Sequence, residues 1–305
     1  MPGDLIQPAF VREAITAPVA IPSMPGQQQE TIDSLTGAVR DAVDAGCAAV
    51  LLFGLPEHKD AEGSQAWDDE GIVQRALRSL RRDVGDSCVL IADCCLDEYT
   101  DHGHCGVLRA DGSVDNDPTI ELYARVAVAQ ARAGADLIAP SGMMDGQVAA
   151  IRAALDSNGF ADTGVLAYSA KYASVMYGPF RDAAACAPRT GDRRGYQVDV
   201  ANQREAVRRA VVDVHEGADM VMVKPALTAL DVVARVRDAT DVPLAAYCVS
   251  GEYAMLHAAA AAGAFDERSA VLESLTAIRR AGADLIVTYD ARRAARWLRE
   301  EINGV

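Results

Sequence analysis

Short apolar runs recur along this chain at regular intervals, and amphipathic stretches fill the gaps between them. Eight runs read as strands: 4–11, 48–54, 87–94, 135–141, 163–170, 218–225, 242–250 and 283–290. They are near-continuously apolar, the pattern of strands covered on both faces. Helical spacing lies between most of them. Ile32, Leu35, Val39 and Val43 mark one face of a helix over 27–46. Asp117-Pro118 offers an N-cap and an N1 proline for a helix over 118–134. Asp145 and Gly159 bracket the next helix, and Thr228 opens another. One phrase repeats: Ala133-Gly134-Ala135-Asp136-Leu137-Ile138, Glu216-Gly217-Ala218-Asp219-Met220-Val221 and Ala281-Gly282-Ala283-Asp284-Leu285-Ile286. Each reads as a helix end, a glycine C-cap and a buried strand. This alternation predicts a parallel (β/α)₈ TIM barrel. A doubly wound open sheet is the alternative, but no G-x-G-x-x-G follows the first strand. No linker divides residues 1–305, so one domain is expected. The first strand begins by Asp4, which leaves a short N-terminal extension, and 181–200, rich in Arg, Gly and Asp, suits a mobile active-site lid.

The barrel reading gives the polar residues a meaning. Asp93, Ser141, Lys171, Lys224, Ser250 and Tyr289 fall at the C-terminal ends of different predicted strands, the face where barrel enzymes place their chemistry. Composition sharpens this at lysine. The chain has three, Lys59, Lys171 and Lys224, against twenty-six arginines. A cation that only needs pairing could have been arginine, as nearly everywhere else here. Lysine can shed its proton and attack a carbonyl, which points to Schiff-base chemistry at Lys224 and Lys171. The net charge of −15 argues against nucleic acid and anionic membranes as partners. No apolar run approaches the eighteen or so residues of a membrane span, and the N-terminus lacks the basic start of a signal peptide; a cytoplasmic location is the expectation.

Seven cysteines in such a chain are thiols or metal ligands rather than disulfides. Asp93, Cys95 and Asp97 alternate and so share one side of an extended segment, to which Cys105 can return after a loop. Cys95, Asp97 and Cys105 would make a three-ligand site with an open fourth position. His102 and His104 lie in that loop, as ligands, supporting donors or plain loop residues, and His58, His215 and His257 read as structural or surface groups. Arg181 and Arg193 are suited to clamping a substrate carboxylate; Arg189 and Arg194 read as solvated.

These segments together resemble the porphobilinogen synthase (5-aminolevulinic acid dehydratase) family from Leu5 to Tyr289. The carrying motifs are Ser23-Met24-Pro25-Gly26, the run Tyr99 to Gly106, Ala139-Pro140-Ser141-Gly142-Met143-Met144-Asp145-Gly146, Tyr168-Ser169-Ala170-Lys171, Met222-Val223-Lys224-Pro225 and Val249-Ser250-Gly251-Glu252. The resemblance implies a homo-oligomeric enzyme that condenses two 5-aminolevulinate molecules into porphobilinogen. It implies that Lys224 holds the first substrate as a Schiff base, that Ser250 and Tyr289 bind its carboxylate, and that Lys171 serves the second substrate. Arg181, Arg193 and Gln197 would bind the second carboxylate, Asp93 and Ser141 would line the site, and Phe180 would cover it. Three departures stand out. Asp97 replaces a cysteine of the zinc-type pattern, giving a hybrid set for which zinc is still the expected ion. Arg209 stands where the magnesium-activated subgroup has glutamate, so allosteric magnesium is not expected, and the arginine could pair with an acid across a subunit interface. The family's N-terminal arm is short here, which leaves the size of the oligomer open. A class I aldolase-like lyase would need neither the second lysine nor the cysteines; a catalytically inactive metal-binding barrel would need neither lysine.

Overall fold

All eight apolar runs become strands of one closed parallel barrel. The computed structural model describes residues 1–303. In chain order the strands are β1 (Leu5–Arg12), β2 (Val19–Ala20), β3 (Gln28–Glu30), β4 (Ala49–Leu55), β5 (Val89–Cys94), β6 (Leu137–Pro140), β7 (Gly164–Lys171), β8 (Met220–Lys224), β9 (Leu244–Cys248) and β10 (Leu285–Thr288). The helices are α1 (Ile32–Ala45), α2 (Ile72–Val84), α3 (Asn116–Ala133), α4 (Gln147–Ser157), α5 (Gly178–Ala183), α6 (Gln203–His215), α7 (Leu230–Ala239), α8 (Ser250–Ala261), α9 (Glu267–Arg280) and α10 (Ala291–Asn303). The barrel strands pair in sequence order from β4 to β10, and β1 closes the ring by pairing with β4 on one side and β10 on the other. The predicted doubly wound alternative is therefore set aside. No described helix is long and apolar enough to cross a membrane.

The strands are apolar throughout because they feed two cores. Leu5, Val50, Leu52, Leu90, Ile138, Val165, Val221, Leu244 and Ile286 face outward into the helical layer. Ile6, Leu51, Ile91, Ala139, Leu166, Met222, Ala245 and Val287 alternate with them and fill the barrel interior. This alternation positions the site. Two residues beyond the interior Met222 comes Lys224; two beyond Ile91 comes Asp93; two beyond Ala139 comes Ser141; two beyond Val287 comes Tyr289.

Lys171 breaks the count. Leu166 and Tyr168 face the interior, so strict alternation would turn Lys171 outward. A register shift between Ala167 and Ala170 puts Ala170 in the outer core and pairs Lys171 with Lys224. One irregular step in β7 thus sets the two lysines side by side.

Two local expectations change. The helix expected over 27–46 begins at Ile32, because Gln28–Glu30 pair with β1 and with β2 as a small hairpin. The helix expected from Pro118 begins at Asn116, with Asp115 at the cap position. Asp115 makes no side-chain cap; Arg109 Nη2 takes its carboxylate at 2.8 Å. Pro118 fits inside the first turn, where its missing N–H has no helical partner to lose.

Candidate active site

Lys224 Nζ sits at the top of the barrel inside four aromatic rings. Tyr247, Tyr168, Phe180 and Tyr177 have centroids 4.3, 5.0, 5.2 and 5.3 Å from it. Burial disfavours its ammonium form, and the neighbouring charge of Lys171 adds to this, so its pKa falls to about 7. At Lys171 burial acts in the same direction, but the negative charges of the cysteine cluster, Cys105 first and Asp97 with it, outweigh it and the pKa rises. Lys171 Nζ donates to Ser141 O at 2.6 Å. The two lysines therefore divide: Lys224 can be a free amine near neutral pH while Lys171 stays an ammonium.

Asp93 is buried at the end of β5, accepts from Ser141 Oγ at 3.1 Å, and leaves Oδ1 without a partner. Burial pushes its carboxyl up to about 7 against the pull of Lys171. Tyr289 receives a hydrogen bond from Tyr247 Oη at 3.0 Å, and Ser250 Oγ accepts from Phe180 N at 2.9 Å. Gln197 is buried with both amide atoms unpartnered, and Arg181 Nε is likewise unpartnered. Such groups are costly to leave unmet in a folded interior, and a bound polar ligand would meet them. Among the expected site residues, Lys224, Phe180 and Tyr289 join one aromatic pocket, and Asp93, Ser141 and Lys171 form its polar wall.

Arg193 is placed differently from a free carboxylate clamp. Its Nη1 meets Asp97 Oδ2 at 2.8 Å with both side chains almost fully buried, and its Nη2 donates to Cys186 O at 2.6 Å and Gly103 O at 3.0 Å. Only Nε is left unpartnered. The segment 184–199 lies down over the mouth: Ala184 and Cys186 pack into the interior core with Phe10, Tyr168 and Tyr289. It touches the cysteine loop so closely that a Cβ on Gly103, whose φ is +73°, would come within 2.5 Å of Ala187 O. His104 holds the same segment, with Nε2 2.8 Å from Thr190 O and Nδ1 3.2 Å from Tyr196 Oη.

Cys95, Asp97 and Cys105 come together as the spacing predicted. Their ligand atoms lie within 4.8 Å of one another and all three residues are buried. Donors at that spacing can share one ion with bonds of about 2.0–2.3 Å. Burial would raise the Cys105 thiol, but a hydrogen bond from Cys95 and the charge of Arg193 bring it below its ordinary value. The charges of Arg193 and Lys171 likewise hold Asp97 ionised against burial. Arg193 occupies one carboxylate oxygen of Asp97 and leaves the other for an ion. The donor set fits a divalent metal. His102 and His104 bond to backbone and Tyr196 instead and stand outside the set. Tyr123 braces the loop through Cys105 O, and Gly142 is required beside it, since a Cβ there would lie 1.7 Å from Tyr123 Oη. A second cluster, His257, Glu267 and Asp290, already has its cation in Arg293, which pairs with both carboxylates.

Arg209 lies away from the lysines. It bonds Glu205 at 2.9 Å and Asp145 at 3.2 Å within its own chain, beside a cleft of about 260 Å³. Both partners are brought to it by its own fold, since Glu205 precedes it by one helical turn and Asp145 leads into α4.

Several site residues escaped the sequence reading. Glu98 is 2% exposed with Oε2 unpartnered, and burial followed by the charges of Asp97 and Asp93 keeps it a neutral acid. Tyr168, Tyr177 and Tyr247 form the cage. Tyr168 and Tyr247 lie toward the C-terminal ends of β7 and β9, which was the readable signal, while Tyr177 lies in the turn that leads into α5.

Comparison with known proteins agrees with this geometry. A family model described as delta-aminolevulinic acid dehydratase matches residues 1–297. A delta-aminolevulinic acid dehydratase of Streptomyces coelicolor is 55% identical over 300 residues, 98% of this chain and 91% of the relative. The crystal structure of delta-aminolevulinic acid dehydratase (porphobilinogen synthase) from Toxoplasma gondii ME49, in complex with its product porphobilinogen, is 46% identical with a TM-score of 0.96, covering 99% of this chain and 87% of that one. A putative dihydrodipicolinate synthetase of Pseudomonas aeruginosa is 12% identical with a TM-score of 0.53, covering 99% of this chain and 77% of that one; that likeness speaks for the barrel alone.

Proposed function

The chain belongs to the delta-aminolevulinic acid dehydratase family, and on that basis we propose that residues 1–305 act as one catalytic domain joining two 5-aminolevulinate molecules into porphobilinogen with release of two waters. The observation that carries this reading is Lys224, an amine with its pKa lowered to about 7, beside the ammonium of Lys171. The ketone of the first substrate condenses with Lys224 and releases water. The resulting iminium draws electrons from the adjacent carbon, which can then lose a proton and form a carbon–carbon bond. Lys171, an ammonium until it gives up its proton, then becomes the amine for the second ketone, and Asp93, buried in the field of both lysines with Oδ1 free, is a carboxyl that can move a proton. Ser250 and Tyr289 suit the first carboxylate; Gln197, Arg181 and Nε of Arg193 suit the second. A zinc ion held by Cys95, Asp97 and Cys105 would supply Lewis acidity at the second substrate. Borohydride with radiolabelled 5-aminolevulinate should label Lys224, and porphobilinogen should accumulate without borohydride; label without product would favour an aldolase-like lyase.

The same reading has the chain self-associate and function in the cytoplasm without allosteric magnesium. Arg209 places a guanidinium between Glu205 and Asp145, and a guanidinium neither ligates Mg²⁺ nor lets it approach those carboxylates. Magnesium titrated into chelated enzyme, with zinc constant and ionic strength matched, should leave activity and sedimentation unchanged. A saturable rise in activity with a change in particle size would overturn this, and the sedimentation run also reads the oligomer.

A further inference from the structure

Two side chains outside the pocket hold the C-terminal end of α5, and neither takes part in the chemistry above. Gln29 Nε2 donates to Ala183 O at 2.7 Å. Gln29 is 7% exposed, and Arg12 Nη1 fixes its Oε1 at 2.8 Å. Lys59, the third lysine of the chain, donates from Nζ to Ala185 O at 2.7 Å. Ala183 ends α5, and Ala185 follows with φ +49°, a conformation alanine adopts only where its surroundings impose it. The last carbonyls of a helix lack internal donors. Here those donors come from two separate barrel loops.

The other end of α5 is also held from outside. Phe180 N donates to Ser250 Oγ at 2.9 Å, and Ser23 Oγ lies 3.5 Å from Pro179 O. Ser23 belongs to the β2–β3 hairpin, as does Gln29. Gln27 of the same hairpin, also buried, donates to Tyr289 O at 3.1 Å. The hairpin is thus a shelf, with Gln27 under the Tyr289 side of the pocket and Gln29 under the lid. A six-residue helix has too few internal hydrogen bonds to hold its own place. It nevertheless carries Phe180, 5.2 Å from Lys224 Nζ, and Arg181, whose Nε faces no protein partner.

We propose that Gln29 and Lys59 are positioning residues that seat α5, and through it Phe180 and Arg181, for capture of the second substrate. The inference rests on the assignment of Arg181 to the second carboxylate. It also accounts for lysine at position 59: a lone carbonyl is one acceptor, which a compact ammonium fits better than a planar fork built for two.

The test uses Gln29→Leu, Lys59→Met and Lys59→Arg in the full chain, with thermal melting as the fold control. Gln29→Leu should raise the half-saturating 5-aminolevulinate concentration about tenfold, since it strands a buried carbonyl and Arg12. Lys59→Met, nearer solvent, should raise it about threefold, with Lys59→Arg recovering part of the loss. Trypsin should cut the loosened segment after Arg181, Arg189 and Arg194 faster in the same order, without substrate present. Borohydride labelling of Lys224 at saturating substrate should keep its wild-type rate. Folded variants with wild-type half-saturation and wild-type cleavage would overturn the proposal, as would Lys224 labelling that slows in step with turnover. If Gln29→Leu fails to fold, the surface variant Lys59→Met decides alone. A wild-type chain that makes no porphobilinogen would instead refute the function, and the cleavage rates would still report on the clip.

Discussion

Lys224→Arg should abolish porphobilinogen formation, at least about a thousandfold, while the barrel stays folded. The charge survives and the nucleophile does not, since a guanidinium does not lose its proton in this range. A free lysine near pKa 10.4 is neutral about once in 2,500 molecules at pH 7. With the pKa of Lys224 at about 7, roughly half is neutral, a gain of about a thousandfold in reactive amine. The causes fix the sign. Burial, then the ammonium of Lys171, destabilises the protonated form. Single-turnover labelling at Lys224 should therefore rise with pH through an apparent midpoint near 7. Lys171→Met, by removing the repelling charge, should move that midpoint upward. A wild-type profile that rises only near pH 10 would contradict the environment described for Lys224, and substantial turnover by Lys224→Arg would contradict its role. Because arginine overfills a pocket where Lys224 is 5% exposed, Lys224→Met should be run beside it, with circular dichroism confirming both folds.

The barrel was legible because its strands are buried on both faces, so they read as apolar runs whatever their neighbours do. The strand-end polar residues were legible for the same reason: a lysine or aspartate closing such a run has nowhere apolar to go. Lys171 shows where that logic fails. Counting by twos from Tyr168 points it away from Lys224, and only the register shift in β7 turns it inward. That shift is set by pairing with β8, which no local pattern records. The β2–β3 hairpin is short, and its Gln27-Gln28-Gln29 run reads as the start of the helix expected over 27–46; its buried side chains find partners more than 150 residues away, in the lid and at Tyr289.

Arg193 was recognised as important and given one task; the structure gives it another as well. Nothing in its spacing shows that its guanidinium would join Asp97, Gly103 O and Cys186 O. Nothing local marks Glu98 among its neighbours in the Asp-Glu-Tyr-Thr-Asp stretch. Its burial is a tertiary fact, visible once Asp93 and Asp97 are seen to crowd it. Position along the chain identified which side chains were chemical; which of them share a charge came only with the closed lid.

Cys95→Ala combined with Cys105→Ala should remove the bound metal and cut activity about a hundredfold or more, with the barrel intact. Two thiolates favour zinc over magnesium, and the lowered Cys105 thiol is prepared to deprotonate. Metal uptake should release protons at neutral pH, because Cys95 is held protonated by burial until an ion takes its sulfur. Asp97 is the weak member: its carboxylate is shared with Arg193, so its charge is already partly spent. Asp97→Cys should therefore tighten zinc binding, and it should also loosen Arg193, whose only ion pair among the described residues is lost. Metal content by elemental analysis, cobalt substitution read through its thiolate absorption bands, and activity before and after chelation separate these effects. Full activity of the double variant in exhaustively chelated buffer would show that the Cys95, Asp97 and Cys105 cluster serves the fold and not the reaction. Lost activity with retained metal would place the ion elsewhere. Loss of both, with zinc but not magnesium restoring the chelated wild type, would assign the ion to this cluster.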